Sequence, residues 1–183
     1  FIYENLSIQN NLIHGAYINN VKNIIFFGSS CIYPSNISTS ISEKMLLSGK
    51  LEYTNEPYAI AKIAGVKLCE SYNDQFNTNY ICLMPSNLFG PNDNYDLQNS
   101  HFFPAIIRKL YEAKKKNKKE LKFWGTGNAM RELTFVDEVA EACIFFLNKN
   151  IKHTLINLGS GYERNIKSYI DFVAKKNWGK FKN

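Results

Sequence analysis

Short, uninterrupted apolar runs alternate along this chain with longer segments of helical periodicity, and this alternation restricts the possible folds more than any other feature. The runs at 23–28 and 80–84 contain few polar residues, and a third run covers 154–158. Such runs are typical of strands that are buried on both faces of a parallel sheet. Since helices are predicted between the strands, the expected class is α/β with a largely parallel sheet.

The helices are predicted from apolar residues that recur near the 3.6-residue period. They cover 1–19, 57–73, 102–115, 137–148 and 165–176. Shorter extended pieces are predicted at 121–124 and 133–135, a turn near 43–47, and loops over 85–91 and 92–100. No internal repeat interrupts this order of elements.

The composition indicates a globular chain with a modest positive charge. Its 183 residues suffice for one domain with a core, and 45% of them are hydrophobic. The net charge is +6, and much of the excess lies in the lysine-rich stretch 114–119, which we interpret as a solvated loop. We therefore expect no nucleic-acid partner, although a basic chain favours an anionic substrate such as a nucleotide.

The four cysteines form neither a CxxC pair nor a zinc-binding spacing. We interpret them as reduced thiols in an intracellular, cytoplasmic protein and expect no metal site. No apolar run approaches the ~18 residues that a membrane span requires, so no membrane association is expected.

Tyr58 and Lys62 stand four residues apart in a predicted helix, so their side chains share one face. Pro57 suits the first turn of this helix, and Thr54 and Asn55 are candidate caps. A free phenol has a pKa near ~10, and a cation ~4 Å away could bring it to ~7. The pair could then exchange a proton with a substrate oxygen near neutral pH. An ordinary amphipathic helix with an exposed Tyr and Lys is the alternative.

Polar residues follow two of the predicted strands at their carboxyl ends, where ligands bind in open α/β sheets. Ser29, Ser30 and Cys31 come after the first run, and 85–88 come after the next. A Ser hydroxyl there could bind the same substrate oxygen that Tyr58 protonates. The alternative is that the serines only form a turn.

Two glycine pairs look like dinucleotide-binding loops but lack the third glycine of that fingerprint. Arg164 stands where the pair at 159–161 would need it, and Met130 stands where the pair at 125–127 would need it. We interpret both pairs as turns.

Three further side chains each have a functional and an ordinary interpretation. His101 could be a cap or a surface residue, or an acid if it faces Cys31. Arg131 could hold a phosphate or form a surface salt bridge. Trp124 is more often part of a core than a stacking platform.

Several motifs together resemble the GDP-L-fucose synthase family of extended short-chain dehydrogenases/reductases, in order and over nearly the whole chain. The matching stretches are 28–34 (Gly-Ser-Ser-Cys-Ile-Tyr-Pro), 57–62 (Pro-Tyr-Ala-Ile-Ala-Lys), 85–91 (Pro-Ser-Asn-Leu-Phe-Gly-Pro), 99–101 (Asn-Ser-His), 124–127 (Trp-Gly-Thr-Gly) and 130–132 (Met-Arg-Glu). Tyr-x-x-x-Lys is generic to the superfamily, whereas the Ser-Ser-Cys-Ile-Tyr-Pro run with Asn-Ser-His is far more specific.

The resemblance implies a partial Rossmann-like, doubly wound parallel sheet with part of a smaller substrate-binding domain. Residues 1–91 would be the C-terminal part of the NADP-binding Rossmann domain. Residues 92–183 would belong partly to the substrate-binding domain, with some segments returning to the Rossmann domain. The sheet would lack its first strands and expose an apolar edge.

The implied activity is NADPH-dependent 3,5-epimerisation and 4-reduction of GDP-4-keto-6-deoxy-D-mannose to GDP-L-fucose. By resemblance, Tyr58 would protonate the C4 oxygen and Ser29 would hydrogen-bond to it. Lys62 would lower the pKa of Tyr58 and bind the nicotinamide ribose. Cys31 and His101 would be the base and the acid of epimerisation.

The resemblance also implies which residues contact the ligands. The residues implied for NADP(H) are Phe27, Gly28, Ser29, Ser30, Tyr58, Lys62, Pro85, Ser86, Asn87, Leu88 and His101. The GDP-sugar would be held by Lys109, Trp124 and Arg131. At the position of Lys109 the family can carry Arg, which binds phosphate through two donors at once, so Lys109 would bind the phosphate more weakly.

The chain departs from the family at both ends, since it has no glycine-rich segment for the NADPH phosphates and stops after Trp178. We therefore expect a fragment that is inactive alone, and a homodimer formed through the Phe1–Asn19 and Tyr58–Asn73 helices. The alternatives are another nucleotide-sugar epimerase or dehydratase of the same superfamily, or a non-catalytic remnant that serves as a dimerisation module.

Overall fold

The structure, a computed structural model, describes residues 1–118, 120–149, 151 and 153–178. It divides into two compact units. The first unit comprises 1–86 and 137–158, and the second comprises 87–136 and 159–183. Because the chain leaves the first unit and later returns to it, neither unit is a continuous stretch of sequence.

The helices and strands of the described residues follow the predicted alternation. The helices are α1 (Ile2–Ile18), α2 (Glu56–Phe76), α3 (Phe102–Lys115), α4 (Val136–Leu147) and α5 (Ile166–Trp178). The strands are β1 (Asn23–Phe27), β2 (Asn79–Pro85), β3 (Asn87–Phe89), β4 (Met130–Phe135), β5 (Leu155–Leu158) and β6 (Glu163–Asn165). All the predicted helices are confirmed, with ends that differ by at most a few residues, and a short 3-10 turn at Glu43–Met45 confirms the predicted turn.

Three parallel strands form the sheet of the first unit, in the order β1-β2-β5. This arrangement confirms the α/β class. The central strand β2 is buried from Tyr80 to Met84, as its apolar run predicted. The same expectation is wrong for β1, whose end residues Asn23 and Phe27 are exposed, because β1 is an outer strand with a neighbour on one side only.

The second unit contains a three-stranded sheet in the order β3-β4-β6, in which β4 runs parallel to β3 and antiparallel to β6. Neither β3 nor β6 was predicted, because a three-residue strand has too few residues to show a period and is defined by its pairing. The strand predicted at 121–124 is wrong. Leu121 and Phe123 instead pack against the apolar cluster formed by α3 and α5.

Helix α2 is held firmly against the rest of the first unit. Its packed face consists of small and apolar residues, which are Ala59, Ala61, Ile63, Gly65, Val66 and Cys69. Gly65 lies against the ring of Phe26 in β1, where an added Cβ would be 2.4 Å from the ring. Gln9 of α1 donates a 2.7 Å hydrogen bond to the carbonyl oxygen of Ala61. These contacts fix the first turns of α2 close to the carboxyl end of β1.

Across the part of the chain that the structure describes, no helix is both long enough and apolar enough to cross a membrane.

Candidate active site

The turn after β1 places the first candidate residues at the carboxyl end of that strand. Ser29 has an extended backbone, and its hydroxyl accepts a 3.3 Å hydrogen bond from the amide of Cys31. The next two residues, Ile32 and Tyr33, are buried in the core. The turn is therefore anchored by β1 on one side and by two buried side chains on the other, and Ser29 and Cys31 lie partly exposed between these anchors.

The first turn of α2 brings Tyr58 to the same place. Its phenol lies beside the Ser29 side chain and the Cys31 thiol, close enough for both groups to affect the pKa of Tyr58. The ring of Phe1 lies 5.9 Å from the Tyr58 ring, centroid to centroid. The structure thus brings together three of the predicted catalytic residues.

Lys62, one helical turn further along α2, reaches the end of β1. Its ammonium donates a 2.9 Å hydrogen bond to the carbonyl oxygen of Phe27. The same nitrogen lies 5.1 Å from the centroid of the Phe26 ring and 5.7 Å from that of the Tyr58 ring. Burial lowers the pKa of Lys62, because the cation loses part of its hydration.

The expectation that Lys62 depresses the pKa of Tyr58 is not met in this structure. The pKa of Tyr58 is raised above its ordinary value of 10.0, chiefly by burial. The neighbouring Ser29 side chain opposes that rise in the pKa, and Cys31 adds to it. The phenol is therefore protonated at neutral pH, which suits a proton donor.

The start of α2 is capped differently from the prediction. Asn55 occupies the N-cap position, but its side chain makes no capping hydrogen bond. The carboxylate of Glu52 instead accepts hydrogen bonds from the Thr54 hydroxyl and from the amides of Thr54 and Asn55, and these bonds lower the pKa of Glu52. Pro57 lies in the first turn, as predicted.

The other residues predicted to bind the cofactor lie around the carboxyl ends of β1 and β2 or just beyond them. They are Phe27, Gly28, Ser30, Pro85 and Ser86 in the first unit, and Asn87 and Leu88 at the start of β3 in the second. The amide of Gly28 donates a 2.9 Å hydrogen bond to Leu83, which continues the β1–β2 ladder past β1. A Cβ on Gly28 would lie 2.1 Å from the end of the Met84 side chain, so a larger residue there would require that flexible side chain to move.

The remaining predicted residues belong to the second unit. His101 occupies the N-cap position of α3, is exposed, and does not cap the helix with its side chain. The Lys109 ammonium lies 5.7 Å from the centroid of the Phe123 ring. Trp124 is 96% exposed, so its interpretation as a core residue is wrong. Arg131 is an exposed residue of β4.

A network around Tyr33 supports the catalytic turn and was missed by the sequence analysis. The Tyr33 hydroxyl donates a 2.5 Å hydrogen bond to the side-chain oxygen of Asn157. The backbone amide of Asn157 in turn donates a 2.8 Å bond to the Glu43 carboxylate. Burial, with the nearby charge of Glu43, raises the pKa of Tyr33 to about 12. No spacing pattern reveals this network, because Asn157 is 124 residues from Tyr33.

The glycine pair at 159–161 forms a turn around the carboxylate of Glu132. The amide of Gly161 and the hydroxyl of Ser160 donate hydrogen bonds of 2.6 and 3.3 Å to Glu132. A Cβ on Gly159 would lie 2.3 Å from the same carboxylate. This arrangement agrees with the interpretation of the pair as a turn.

The residues around Tyr58 can bind a carbonyl group. A protonated phenol beside a serine hydroxyl can hold a carbonyl oxygen and donate a proton to it. A nearby thiol adds a group that can remove a proton once it is ionised. Within the described ranges, no group of His, Cys, Asp and Glu side chains could hold a metal ion.

The fold and these residues define an α/β protein with a Tyr–Lys helix at the carboxyl edge of a parallel sheet. The family model described as "NAD dependent epimerase/dehydratase family" matches residues 1–159, so the chain belongs to that family. It is 47% identical over 175 residues to GDP-L-fucose synthase 1 of Arabidopsis thaliana, covering 96% of this chain and 54% of that relative. It is 45% identical over 184 residues to the GDP-L-fucose synthase of Escherichia coli K12, covering 96% of this chain and 57% of that relative.

A solved structure shows the same architecture. The chain matches MlghC, a GDP-mannoheptose C4 reductase from Campylobacter jejuni with NADP bound, with a TM-score of 0.86 and 36% identity. The match covers 96% of this chain and 62% of that one. The chain thus spans little more than half the length of the two synthases that it matches.

Proposed function

We propose that this chain carries the catalytic helix of an NADPH-dependent enzyme that converts GDP-4-keto-6-deoxy-D-mannose to GDP-L-fucose. The observation that carries the proposal is that Tyr58 lies beside both the Ser29 side chain and the Cys31 thiol, with Lys62 bound to the last carbonyl of β1. These groups lie at the sheet edge where α/β proteins bind ligands. The identity to two GDP-L-fucose synthases over 96% of this chain supports the choice of substrate.

For reduction, Ser29 and Tyr58 would both hydrogen-bond to the C4 ketone oxygen, and Tyr58 would donate the proton. The raised pKa of Tyr58 keeps that proton in place at neutral pH. NADPH, when bound, supplies the hydride that C4 receives. The residues fit such a cofactor, because the Lys62 ammonium has three donors and Phe27 takes one of them. The other donors suit the hydroxyl groups of the nicotinamide ribose.

For epimerisation, the ketone at C4 makes the protons on C3 and C5 acidic. We assign Cys31 as the base that removes each proton and His101 as the acid that returns one to the opposite face. Cys31 must be ionised for this step, because the thiolate is the reactive form. The partial exposure of Cys31 and its position beside Tyr58 support the assignment.

The GDP-sugar would be held by residues of the second unit. Trp124 exposes its indole ring almost completely, which suits stacking on a planar ring. Arg131 presents a guanidinium to solvent, a group that binds phosphate oxygens in pairs. Lys109 would contribute a single point charge.

The proposal includes a cytoplasmic homodimer. Helix α1 exposes large apolar side chains that a second copy could cover, namely Phe1, Tyr3, Ile8, Leu12 and Ile18. Ile60 and Phe76 add exposed apolar surface on α2. The four cysteines, all free in the structure, support a reducing compartment.

The direct test is to incubate the full-length protein with GDP-4-keto-6-deoxy-D-mannose and NADPH and to identify the sugar. GDP-L-fucose is the expected product. The Cys31→Ser variant should slow epimerisation far more than reduction, and it should accumulate a sugar that is reduced at C4 without inversion. Equal loss of both steps in Cys31→Ser would contradict the assignment.

A C4 reductase without epimerase activity is the second candidate, which the match to the C. jejuni C4 reductase favours. The two candidates differ in deuterium oxide without NADPH. An epimerase exchanges the C3 and C5 protons of the keto-sugar for deuterium, whereas a simple reductase leaves them in place. Loss of that exchange in Cys31→Ser would assign the exchange to the thiol.

A further inference from the structure

We propose that Arg164 is a second anion-binding residue of the second unit and that it acts with Arg131 on the diphosphate of a nucleotide sugar. The identity of the anion rests on the function proposed above. The pairing of the two arginines rests on the register of two strands.

Strands β4 and β6 are antiparallel, and Arg131 lies directly opposite Arg164 in their ladder. Residues in that relation project from the same face, with Cβ atoms about 4.5–5.5 Å apart. Both arginines are exposed. The two arginine side chains therefore start from neighbouring positions on one face of the β4–β6 ribbon.

Two side chains of like charge directly opposite each other destabilise a pair of strands unless a counter-charge lies nearby. Among the ion pairs of the described residues, none includes Arg131 or Arg164. One Arg131 nitrogen donates a 2.7 Å hydrogen bond to the neighbouring carbonyl of Met130. A guanidinium has five N–H donors, so this bond leaves most of the Arg131 donors for a ligand.

Among the described residues, the acidic residues of β4 and β6 form no ion pair with either arginine. Glu132 and Glu163 form the next cross-strand pair, and successive residues in a strand project from opposite faces. The Glu132 carboxylate is already bound by Gly161 and Ser160. The carboxylate of Glu132 is therefore engaged by the turn at 159–161, and the ladder places the two arginines together on the other face.

Tyr169 of α5 fixes the ribbon at the arginine pair. Its hydroxyl donates a 3.0 Å hydrogen bond to the carbonyl oxygen of Arg131. Burial raises the pKa of Tyr169, the charge of Arg164 lowers it, and the charges of Glu132 and Glu163 raise it, so all three side chains lie within electrostatic range of that hydroxyl. The backbone of the pair is thus held in position without using the guanidinium groups.

The segment that carries Trp124 is tied to the same ribbon. The amide of Lys167 donates a 3.0 Å hydrogen bond to Gly127, and the amide of Ile166 donates a 3.1 Å bond to Ala129. An exposed indole and two guanidinium groups therefore belong to adjoining segments of one unit. Stacking on a base and paired binding of phosphate oxygens together match a nucleoside diphosphate.

The test is calorimetric titration of the full-length protein with GDP and, separately, with guanosine, which lacks the phosphates. Arg164→Gln should weaken GDP binding about tenfold, because the variant loses the hydrogen bonds between the charged guanidinium and the phosphate oxygens. It should leave guanosine binding unchanged. Arg164→Lys should restore part of the affinity. Arg108→Gln is the matched control, because it removes an exposed arginine of the same unit that already pairs with Glu112 at 2.9 Å.

The variants also separate this proposal from the function on which it rests. If Arg131→Gln weakens GDP binding and Arg164→Gln does not, the pairing is wrong and the nucleotide site stands. If neither variant weakens GDP binding, the diphosphate assignment fails for both residues. Thermal unfolding provides a second readout. Removing one of two opposed cations should leave the melting temperature unchanged or raise it, whereas a large decrease would give Arg164 a structural role instead.

Discussion

The Lys62 ammonium donates its hydrogen bond to the carbonyl oxygen of Phe27, the last residue of β1, at 2.9 Å. Lys62 therefore connects helix α2 to the strand end from which the Ser29 turn starts. The pKa of Tyr58, on the same face of α2, is raised chiefly by burial. In this geometry Lys62 positions the site and offers spare donors, and Tyr58 keeps its proton.

Replacing Lys62 with Met should weaken both the site and the fold. We expect a loss of about 1 kcal/mol in the free energy of unfolding, because the Phe27 carbonyl loses a charged donor at a partly exposed position. Affinity for NADPH should decrease as well. Denaturant unfolding and fluorescence titration of NADPH measure the two effects. Lys67→Met is the control, since Lys67 lies on the same helix and only pairs with Glu70 at the surface. Equal losses in both variants would contradict the role of Lys62.

Replacing Tyr58 with Phe should slow reduction by ~10²–10⁴-fold, the usual contribution of a positioned acid. The pH profile gives a sharper test. Because burial raises the pKa of Tyr58, the phenol stays protonated through neutral pH. The rate of reduction by the wild-type protein should therefore fall only above pH 10.0, the ordinary phenol value. A fall near pH 7 that disappears in Lys62→Met would mean that Lys62 acidifies Tyr58 during turnover.

Replacing Tyr33 with Phe should destabilise the first unit by about 1–2 kcal/mol, because the Asn157 side-chain oxygen loses its hydrogen-bond donor. The folded state holds the pKa of Tyr33 at about 12, above the ordinary value of 10.0. Its contribution is therefore complete below pH 10.0 and is lost as the pH rises through about 12. Unfolding curves from pH 8 to 12 should show this loss in the wild type, and Tyr33→Phe should lack it. Tyr53→Phe is the control, since Tyr53 is 85% exposed.

The four thiols should react with a maleimide in a definite order. Cys69 and Cys82 are buried against each other, and their hydrogen bond together with burial strongly raises the pKa of Cys82. Burial also raises the pKa of Cys143. We therefore expect Cys31, which is partly exposed beside Tyr58, to be modified first in the native protein. Mass spectrometry of timed samples identifies the sites, and rapid labelling of Cys82 would contradict the packing of α2 on β2.

Replacing Leu12 with Asp should dissociate the proposed homodimer. Leu12 is 68% exposed on α1, and a carboxylate there would be buried without a partner if a second copy covers this face. Light scattering coupled to size exclusion should then report a monomer. Asn11→Asp places the same charge on the neighbouring exposed residue and serves as the control. A Leu12→Asp protein that remains dimeric would assign the interface to another surface.

The sequence predicted the secondary structure well where a segment was long enough to show a period. Helix α3 begins at Phe102 and ends at Lys115, as its apolar spacing indicated. The three-residue strand β6 had no period to detect, and an apolar spacing at 121–124 wrongly predicted a strand. In both cases the outcome depended on which distant segment was available for pairing or packing.

Local spacing in the sequence determined that Tyr58 and Lys62 lie one helical turn apart and that Ser29 and Cys31 follow a buried strand, because those relations span only a few residues. Tertiary structure decided that Lys62 binds the Phe27 carbonyl, that Asn157 supports Tyr33, and that Arg131 lies opposite Arg164. Each of these contacts joins residues at least 33 positions apart, the smallest separation being that of Arg131 and Arg164. The packing of helices and strands brings such partners together, and no local pattern encodes it.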